Sequence, residues 1–181
     1  PTQVEKEESN MPIEWRKKVV FEAELQPSQM NRFDCKFKIL NSKPEPKLRD
    51  KNGKIKFKTD DLEIEINTKT GLIDKYKVNG IDCLEGDAFL PTVFNDNEDP
   101  WAMTVNSFTD YKGKFKLMTQ KQSAEFAGVK ENKLAPVRVI EDGDVRSSVQ
   151  ALFKYNNSFI CQTYKLPKKG SQIEVETRVI W

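Results

Sequence analysis

Apolar and polar residues alternate along most of this chain. The clearest run lies near the C-terminus, where Val145, Ser147, Val149, Ala151 and Phe153 share one side of an extended segment. Successive side chains of a β-strand point to opposite faces, so a period of two predicts a half-buried strand. Along the whole chain, the pattern predicts strands at residues 19–25, 33–39, 55–57, 62–66, 72–78, 81–84, 88–94, 115–118, 137–140, 145–153, 159–166 and 173–179.

Turn residues separate these runs at regular intervals. Asn79 and Gly80 form the strongest signal, because both residues tolerate the positive φ angles of a tight hairpin turn. Pro91 falls inside the 88–94 run and predicts an edge or bulged strand, since proline cannot donate a hydrogen bond to a neighbouring strand. The one helical expectation is a single turn at 122–126. These features together predict an all-β fold, an antiparallel β-sandwich.

Stretches without alternation divide the chain. Residues 1–14 are polar and acidic, which predicts a disordered lead-in. Residues 41–53 are polar and show no apolar period, which predicts a linker. The sandwich is then expected at residues 54–181. A chain that stops on the apolar Trp181 is expected to leave this sandwich truncated, with exposed edges through which two copies could associate.

Charge and composition narrow the classes of partner. The 30 basic and 28 acidic residues give a net charge of +2, which lacks the excess of a nucleic-acid-binding domain. No apolar run approaches the roughly 20 residues of a membrane-spanning helix, and no signal peptide opens the sequence. Cys35, Cys83 and Cys161 are widely spaced and odd in number, which favours buried free thiols in a cytoplasmic protein.

The sequence contains no histidine. Zinc hydrolases and catalytic triads depend on imidazole, so these classes are excluded for this chain on its own. Paired carboxylates, as in glycosidases, stay open as an alternative. The candidate acids are Asp60, Asp61, Asp96, Glu98, Asp99, Asp142 and Asp144. The 96–99 run could also offer oxygens to calcium, but it lacks the spacing of an EF-hand and is equally typical of a hydrated turn. We therefore expect neither a catalytic nor a metal-binding residue in this chain.

Several stretches resemble the β-sandwich region of glycoside hydrolase family 38 α-mannosidases. The loop at 95–101 is similar to that family's polar loop closing on Asp-Pro-Trp, and 141–146 is similar to its Glu-x-Gly-Pro-Val-Arg strand. Residues 155–166 resemble its Ser-x-x-x-Gln-x-Tyr-x-Leu strand, and 173–181 resemble the strand that ends in Val-Asp-Trp. Asp144 and Ile180 depart from these patterns, at positions that are not catalytic in the family.

The resemblance implies a non-catalytic part of a larger enzyme. The zinc site and the nucleophilic aspartate of such enzymes lie in a separate α/β domain, so the resemblance assigns no catalytic or metal residue here. Zinc is implied only for the parent enzyme. Residues 15–40 are then expected to be strands from the end of a preceding small β-domain, and residues 54–181 part of a galactose-mutarotase-like supersandwich.

The implied partners are the rest of the parent polypeptide and a mannose-containing oligosaccharide. The sandwich would pack against the catalytic domain and help shape its pocket, with Asp99, Trp101 and Arg146 as candidate sugar contacts. Two alternatives stay open. One is an independent carbohydrate-binding module, for which Trp101, Phe108 and Tyr111 form the local aromatic cluster. The other is an Ig-like interaction domain with a closed sandwich.

Overall fold

Nearly all regular structure in the computed structural model is β. The structure describes residues 1–5, 17–36, 45–86, 88–98, 101 and 107–181. Its strands are β1 (Thr2–Val4), β2 (Val19–Phe21), β3 (Asp50–Lys51), β4 (Lys54–Lys58), β5 (Leu62–Asn67), β6 (Ile73–Val78), β7 (Ile81–Asp82), β8 (Thr92–Phe94), β9 (Tyr111–Lys114), β10 (Lys116–Leu117), β11 (Val137–Asp142), β12 (Arg146–Tyr155), β13 (Ser158–Pro167) and β14 (Glu174–Ile180). The helix α1 spans Gln120–Ala127. All strand pairs are antiparallel, which confirms the predicted fold class.

Two five-stranded sheets form the body of the molecule. The first sheet has the order β3-β4-β5-β6-β7. The second sheet has the order β10-β12-β13-β14, and β11 also pairs with β12. The pairs β1-β2 and β8-β9 form two separate two-stranded sheets. Pro91 lies directly before β8, which carries a β-bulge between Val93 and Phe94, so the predicted edge or bulged strand is confirmed.

The apolar sides of the two large sheets share one core. Alternate residues of β5 are buried against alternate residues of β12 and β13, as the period of two predicts. The members of this core include Leu62, Ile64, Ile66, Val149, Ala151, Phe153, Ile160, Tyr164 and Leu166. The Tyr164 hydroxyl donates to the Gly71 carbonyl at 2.8 Å, with Gln162 Oε1 a second acceptor at 3.0 Å. Burial raises the pKa of Tyr164.

Two Asn-Gly turns shape the first sheet. Asn79 (φ 50°) and Gly80 (φ 82°) join β6 to β7, which confirms the predicted hairpin. Asn52 (φ 57°) and Gly53 (φ 83°) join β3 to β4 in the same way. The last residues of the predicted linker at 41–53 are thus a hairpin. Both faces of β3 are exposed at the sheet edge, so no apolar alternation marks it.

The disorder predicted for residues 1–14 is wrong for the described residues 1–5. β1 pairs with β2, and Gln3 Oε1 accepts hydrogen bonds from the backbone N–H groups of Val145 (2.9 Å) and Arg146 (2.8 Å). Three residues are too few to show a period in the sequence, and a side-chain amide that binds a distant turn leaves no local signal. Residues 6–16 lie outside the described part.

The predicted strands at 19–25 and 33–39 are only partly present. β2 ends at Phe21, no strand follows in residues 22–36, and residues 37–39 lie outside the described part. Phe21 and Phe33 pack edge to face with their ring centroids 5.0 Å apart. Cys35 and Cys83 are exposed, so the prediction of buried thiols holds only for Cys161.

The helix is longer than the predicted turn at 122–126. Thr119 forms a capping box, in which its hydroxyl accepts from the Gln122 N–H and the Gln122 side chain accepts from the Thr119 N–H. Gly128 ends the helix in the left-handed conformation at φ 66°. Phe126 then packs on Phe159 at 5.3 Å between ring centroids, beside buried Leu152. The helix therefore covers one end of the outer face of the second sheet.

Candidate functional site

The outer face of the second sheet is polar where α1 does not cover it. Strand register places its side chains in rows across β11, β12, β13 and β14: Arg138, Gln150, Thr163 and Glu176 in one row, and Glu141, Ser148, Lys165 and Glu174 in the next. All of these residues except Glu174 line a cavity of about 350 Å³. Phe126 of α1 lines one part of it and Glu5 of the N-terminal segment another. We call this cavity the sheet groove.

Arg146 lies in the sheet groove and is held by two carboxylates. Its Nη2 donates to Glu5 Oε1 at 2.8 Å, and its Nε donates to Glu141 Oε2 at 3.3 Å. Glu141 Oε2 also accepts from the Ser148 hydroxyl at 2.7 Å. Because the Arg146 side chain is only 14% exposed and already paired, it fixes the N-terminal segment to the sheet. A sugar hydroxyl would have to compete with these ion pairs.

Lys165 forms the second charge cluster of the groove. Its Nζ contacts Glu174 Oε1 at 2.7 Å and Glu176 Oε2 at 2.8 Å. Burial alone would lower the pKa of Lys165, but the hydrogen bonds to the two glutamates raise it above its ordinary value. The hydrogen bond from Lys165 likewise lowers the pKa of Glu176. Lys165 and Glu176 are thus both charged at neutral pH.

Arg138 differs from the other cations of the groove. Its Nη2 donates to the neutral Gln150 Oε1 at 2.7 Å, and its buried Nε has no hydrogen-bond partner among the described residues. Burial lowers the pKa of Arg138. Cys161 lies beside it with 6% of its surface exposed, and burial raises the pKa of that thiol. Arg178 of β14 is directly opposite Cys161 in the strand register.

Asp142, one of the candidate acids, serves the fold. Its two carboxylate oxygens accept from the N–H groups of Lys47 (2.7 Å) and Leu48 (2.8 Å), the Ser147 hydroxyl (2.6 Å) and the Lys168 ammonium (2.8 Å). Burial opposes ionisation of Asp142, but these hydrogen bonds outweigh it and lower its pKa to about 2. The carboxylate is therefore occupied in tying the 45–48 segment to the second sheet.

The remaining candidate acids lie on separate connections. Asp60 and Asp61 are between β4 and β5, Asp96 and Glu98 follow β8, and Asp144 is between β11 and β12. Asp99 lies outside the described residues. Within the described ranges, no group of three or more His, Cys, Asp or Glu side chains is arranged to hold a metal ion. The zinc ion implied for the parent enzyme therefore finds no fitting ligand set in this part of the chain.

The aromatic candidates lie on and beside the β8-β9 hairpin. Trp101 is 81% exposed, Phe108 57% and Tyr111 54%. Tyr111 packs edge to face on Phe94 with 5.9 Å between ring centroids. Trp101 does not line the sheet groove. The structure therefore does not bring Trp101 and Arg146, two of the predicted sugar contacts, to one site.

The sequence reasoning missed Arg138, Lys165 and Arg178 as groove residues. Each occupies an alternate position of its strand, a pattern that also describes an ordinary solvated face. Each of β11, β12, β13 and β14 has one polar face, and this shared feature is the signal that could have found them. Four polar strand faces in one sheet create a continuous polar surface. The strand order needed to see this is not readable from one strand.

The fold and the groove define a class of protein: an antiparallel β-sandwich domain with a polar sheet face and no imidazole chemistry. Residues 58–181 match the family model described as the glycosyl hydrolases family 38 C-terminal domain. The chain belongs to glycosyl hydrolase family 38, and the resemblance seen in the sequence is confirmed. Comparisons with curated proteins and with solved structures found no match. No helix in the described residues is long and apolar enough to span a bilayer.

Proposed function

We propose that this chain supplies a non-catalytic β-region of an α-mannosidase. The match of residues 58–181 to the family's C-terminal domain carries the proposal. The absence of histidine from all 181 residues supports it, because the zinc-dependent cleavage of α-mannosides implied for the family needs imidazole ligands. Zinc and the nucleophile would come from a separate α/β catalytic domain. All three cysteines are free, in keeping with a cytoplasmic location.

The sandwich would pack against that catalytic domain and help shape its sugar pocket. β14 has a partner strand on one side only within the described part of the chain. Val179, Ile180 and Trp181 on and after this strand are 53%, 44% and 80% exposed. An unpaired strand edge that carries large apolar side chains is typical of a protein contact surface. The same edge could instead pair with a second copy of the chain.

A co-expression experiment tests this role. The chain would be produced with a polypeptide carrying a family 38 catalytic domain, and hydrolysis of 4-nitrophenyl α-mannoside would be measured for each alone and for both together. We expect no activity from the chain alone, and association with increased activity for the pair. Hydrolysis by the purified chain alone would overturn the non-catalytic assignment.

The contact surface is tested by two matched variants. Ile180→Ser together with Trp181→Ser changes the β14 edge, whereas Ile81→Ser changes another exposed apolar residue (70%), which lies on the first sheet. We expect the double variant to weaken association about tenfold or more and Ile81→Ser to leave it unchanged. Equal effects of the two changes, or no association of the unmodified chain, would contradict packing through β14.

The exposed aromatic cluster favours a second candidate, an independent carbohydrate-binding module. Trp101 and Tyr111 could stack on sugar rings, because each leaves more than half of its surface open. Calorimetric titration of the chain with mannose separates the two functions. Saturable binding that Trp101→Ala abolishes would support the module. An absence of binding would leave the structural role as the function of the domain.

A further inference from the structure

We propose that the sheet groove binds a small oxyanion group, a phosphate or a carboxylate, between Arg138 and Arg178. Both arginines line the groove, together with Cys161, Gln150 and Thr163. A volume of about 350 Å³ is within the usual range of small-molecule sites. The inference does not depend on the role in an α-mannosidase, because it uses only the geometry of this chain.

Arg138 supplies the first observation. The Arg138 side chain is half-buried and hydrogen-bonds a neutral amide, so it loses part of its hydration without an ion pair to compensate the charge. Its buried Nε–H lacks an acceptor among the described residues. Buried polar groups in native proteins rarely stay unpaired, so such a group calls for a ligand or another partner. An oxyanion in the groove would accept from this N–H and neutralise the charge.

Arg178 supplies the second observation. It lies directly across from Cys161, and Arg138 also acts on that thiol, since both guanidinium groups oppose the rise in the pKa of Cys161 that burial causes. Both arginines line the groove, Arg138 from β11 and Arg178 from β14, on either side of Cys161 in the strand order. No salt bridge joins Arg178 to an acid of the described residues; its charged neighbour Glu176 is paired with Lys165. Two guanidinium groups on one cavity are a common way to recognise phosphate and carboxylate.

The acids of the groove form their salt bridges with other cations. Glu5 and Glu141 are bound by Arg146, and Glu174 and Glu176 are bound by Lys165. Arg146 and Lys165 thus bind two acids each, and no salt bridge joins Arg138 or Arg178 to an acid of the described residues. A cation would be repelled there, and a neutral ligand would leave the Arg138 charge uncompensated. An anion is the class of ligand that fits.

Calorimetry with inorganic phosphate and with acetate, at constant ionic strength, tests the proposal. We expect saturable binding of one ion per chain that Arg138→Gln and Arg178→Gln each weaken about tenfold or more. Arg178 is exposed, so Arg178→Gln should keep the fold even if the Arg138 variant does not. Arg49→Gln removes a surface arginine that does not line the groove and serves as the matched control.

A second readout identifies the site directly. Binding should shift the ¹⁵N resonance of Arg138 Nε, because this N–H gains an acceptor. Preference for phosphate would indicate a phosphoryl-bearing ligand, and preference for acetate a carboxylate. Either preference supports the proposal if the two groove variants lose it. Failure of both ions to bind saturably, or binding that Arg178→Gln leaves unchanged, would overturn it.

Discussion

The two faces of β12 contribute to the protein in different ways. On the inner face, Val149, Ala151 and Phe153 are at most 1% exposed and pack against the first sheet. On the outer face, Ser148 and Gln150 face a polar cavity and hydrogen-bond to neighbouring strands. Inner residues contribute through the apolar area and volume that they fill, so any change is felt by the whole core. Outer residues contribute through hydrogen bonds and ion pairs, and these can change without loss of the sandwich.

The largest test of this contrast is Phe153→Ala. Removing a fully buried ring leaves a cavity between the sheets, and we expect a loss of about 3–5 kcal/mol in the free energy of unfolding. Lys154→Ala changes the next residue, which points to the other face and lies over the Phe159 ring at 5.4 Å. That change should cost about 1 kcal/mol or less. Urea denaturation followed by circular dichroism measures both. Similar losses in the free energy of unfolding for the two variants would mean that the inner and outer faces contribute to stability in the same way.

The inner face could be predicted from the sequence, and the outer face could not. Apolar residues at alternate positions, such as Val149, Ala151 and Phe153, indicate burial in any strand order. The shared location of Arg138 and Arg178 can be recognised only when four strands are aligned in register. That alignment depends on contacts between residues far apart in the chain. The N-terminal strand was missed for the same reason, because Gln3 is held by backbone groups more than 140 residues away.

Gly71→Ala probes the inner face from the opposite sheet. Gly71 has φ 78°, and an added Cβ would lie 2.7 Å from Leu117 Cδ1 and 2.8 Å from Phe153 Cζ. Backbone strain and overpacking together should cost about 2–4 kcal/mol. Gly80→Ala is the matched control, since Gly80 has φ 82° and no atom within 4 Å of an added Cβ. It should cost only the backbone strain, about 1 kcal/mol. Equal thermal shifts for the two variants would show that the Phe153 contact is loose.

Acid titration tests how much Asp142 contributes to stability by tying the 45–48 segment to the second sheet. The pKa of Asp142 is lowered to about 2 in the folded chain, below the ordinary 3.8. A lowered folded pKa means that this carboxylate stabilises the fold above about pH 4 and loses its contribution as the pH falls towards 2. The loss should be roughly 2 kcal/mol. Asp142→Asn should lower stability at pH 7 and remove this part of the acid dependence, whereas Asp144→Asn at the exposed turn should keep it. Unchanged acid unfolding in Asp142→Asn would contradict the assigned contacts.

The smallest expected effect belongs to the rim of the outer face. Glu174 is 63% exposed and shares Lys165 with Glu176, so Glu174→Gln leaves the lysine paired. Exposed ion pairs contribute little, because water screens them and two long side chains lose freedom, and we expect a change below about 0.5 kcal/mol in the free energy of unfolding. Leu166→Ala, at the inward-facing position next to Lys165, should cost about 2–5 kcal/mol in the same urea experiment. A loss above about 1 kcal/mol for Glu174→Gln would show that the groove charges also stabilise the sandwich. The outer face would then be less free to vary than its geometry indicates.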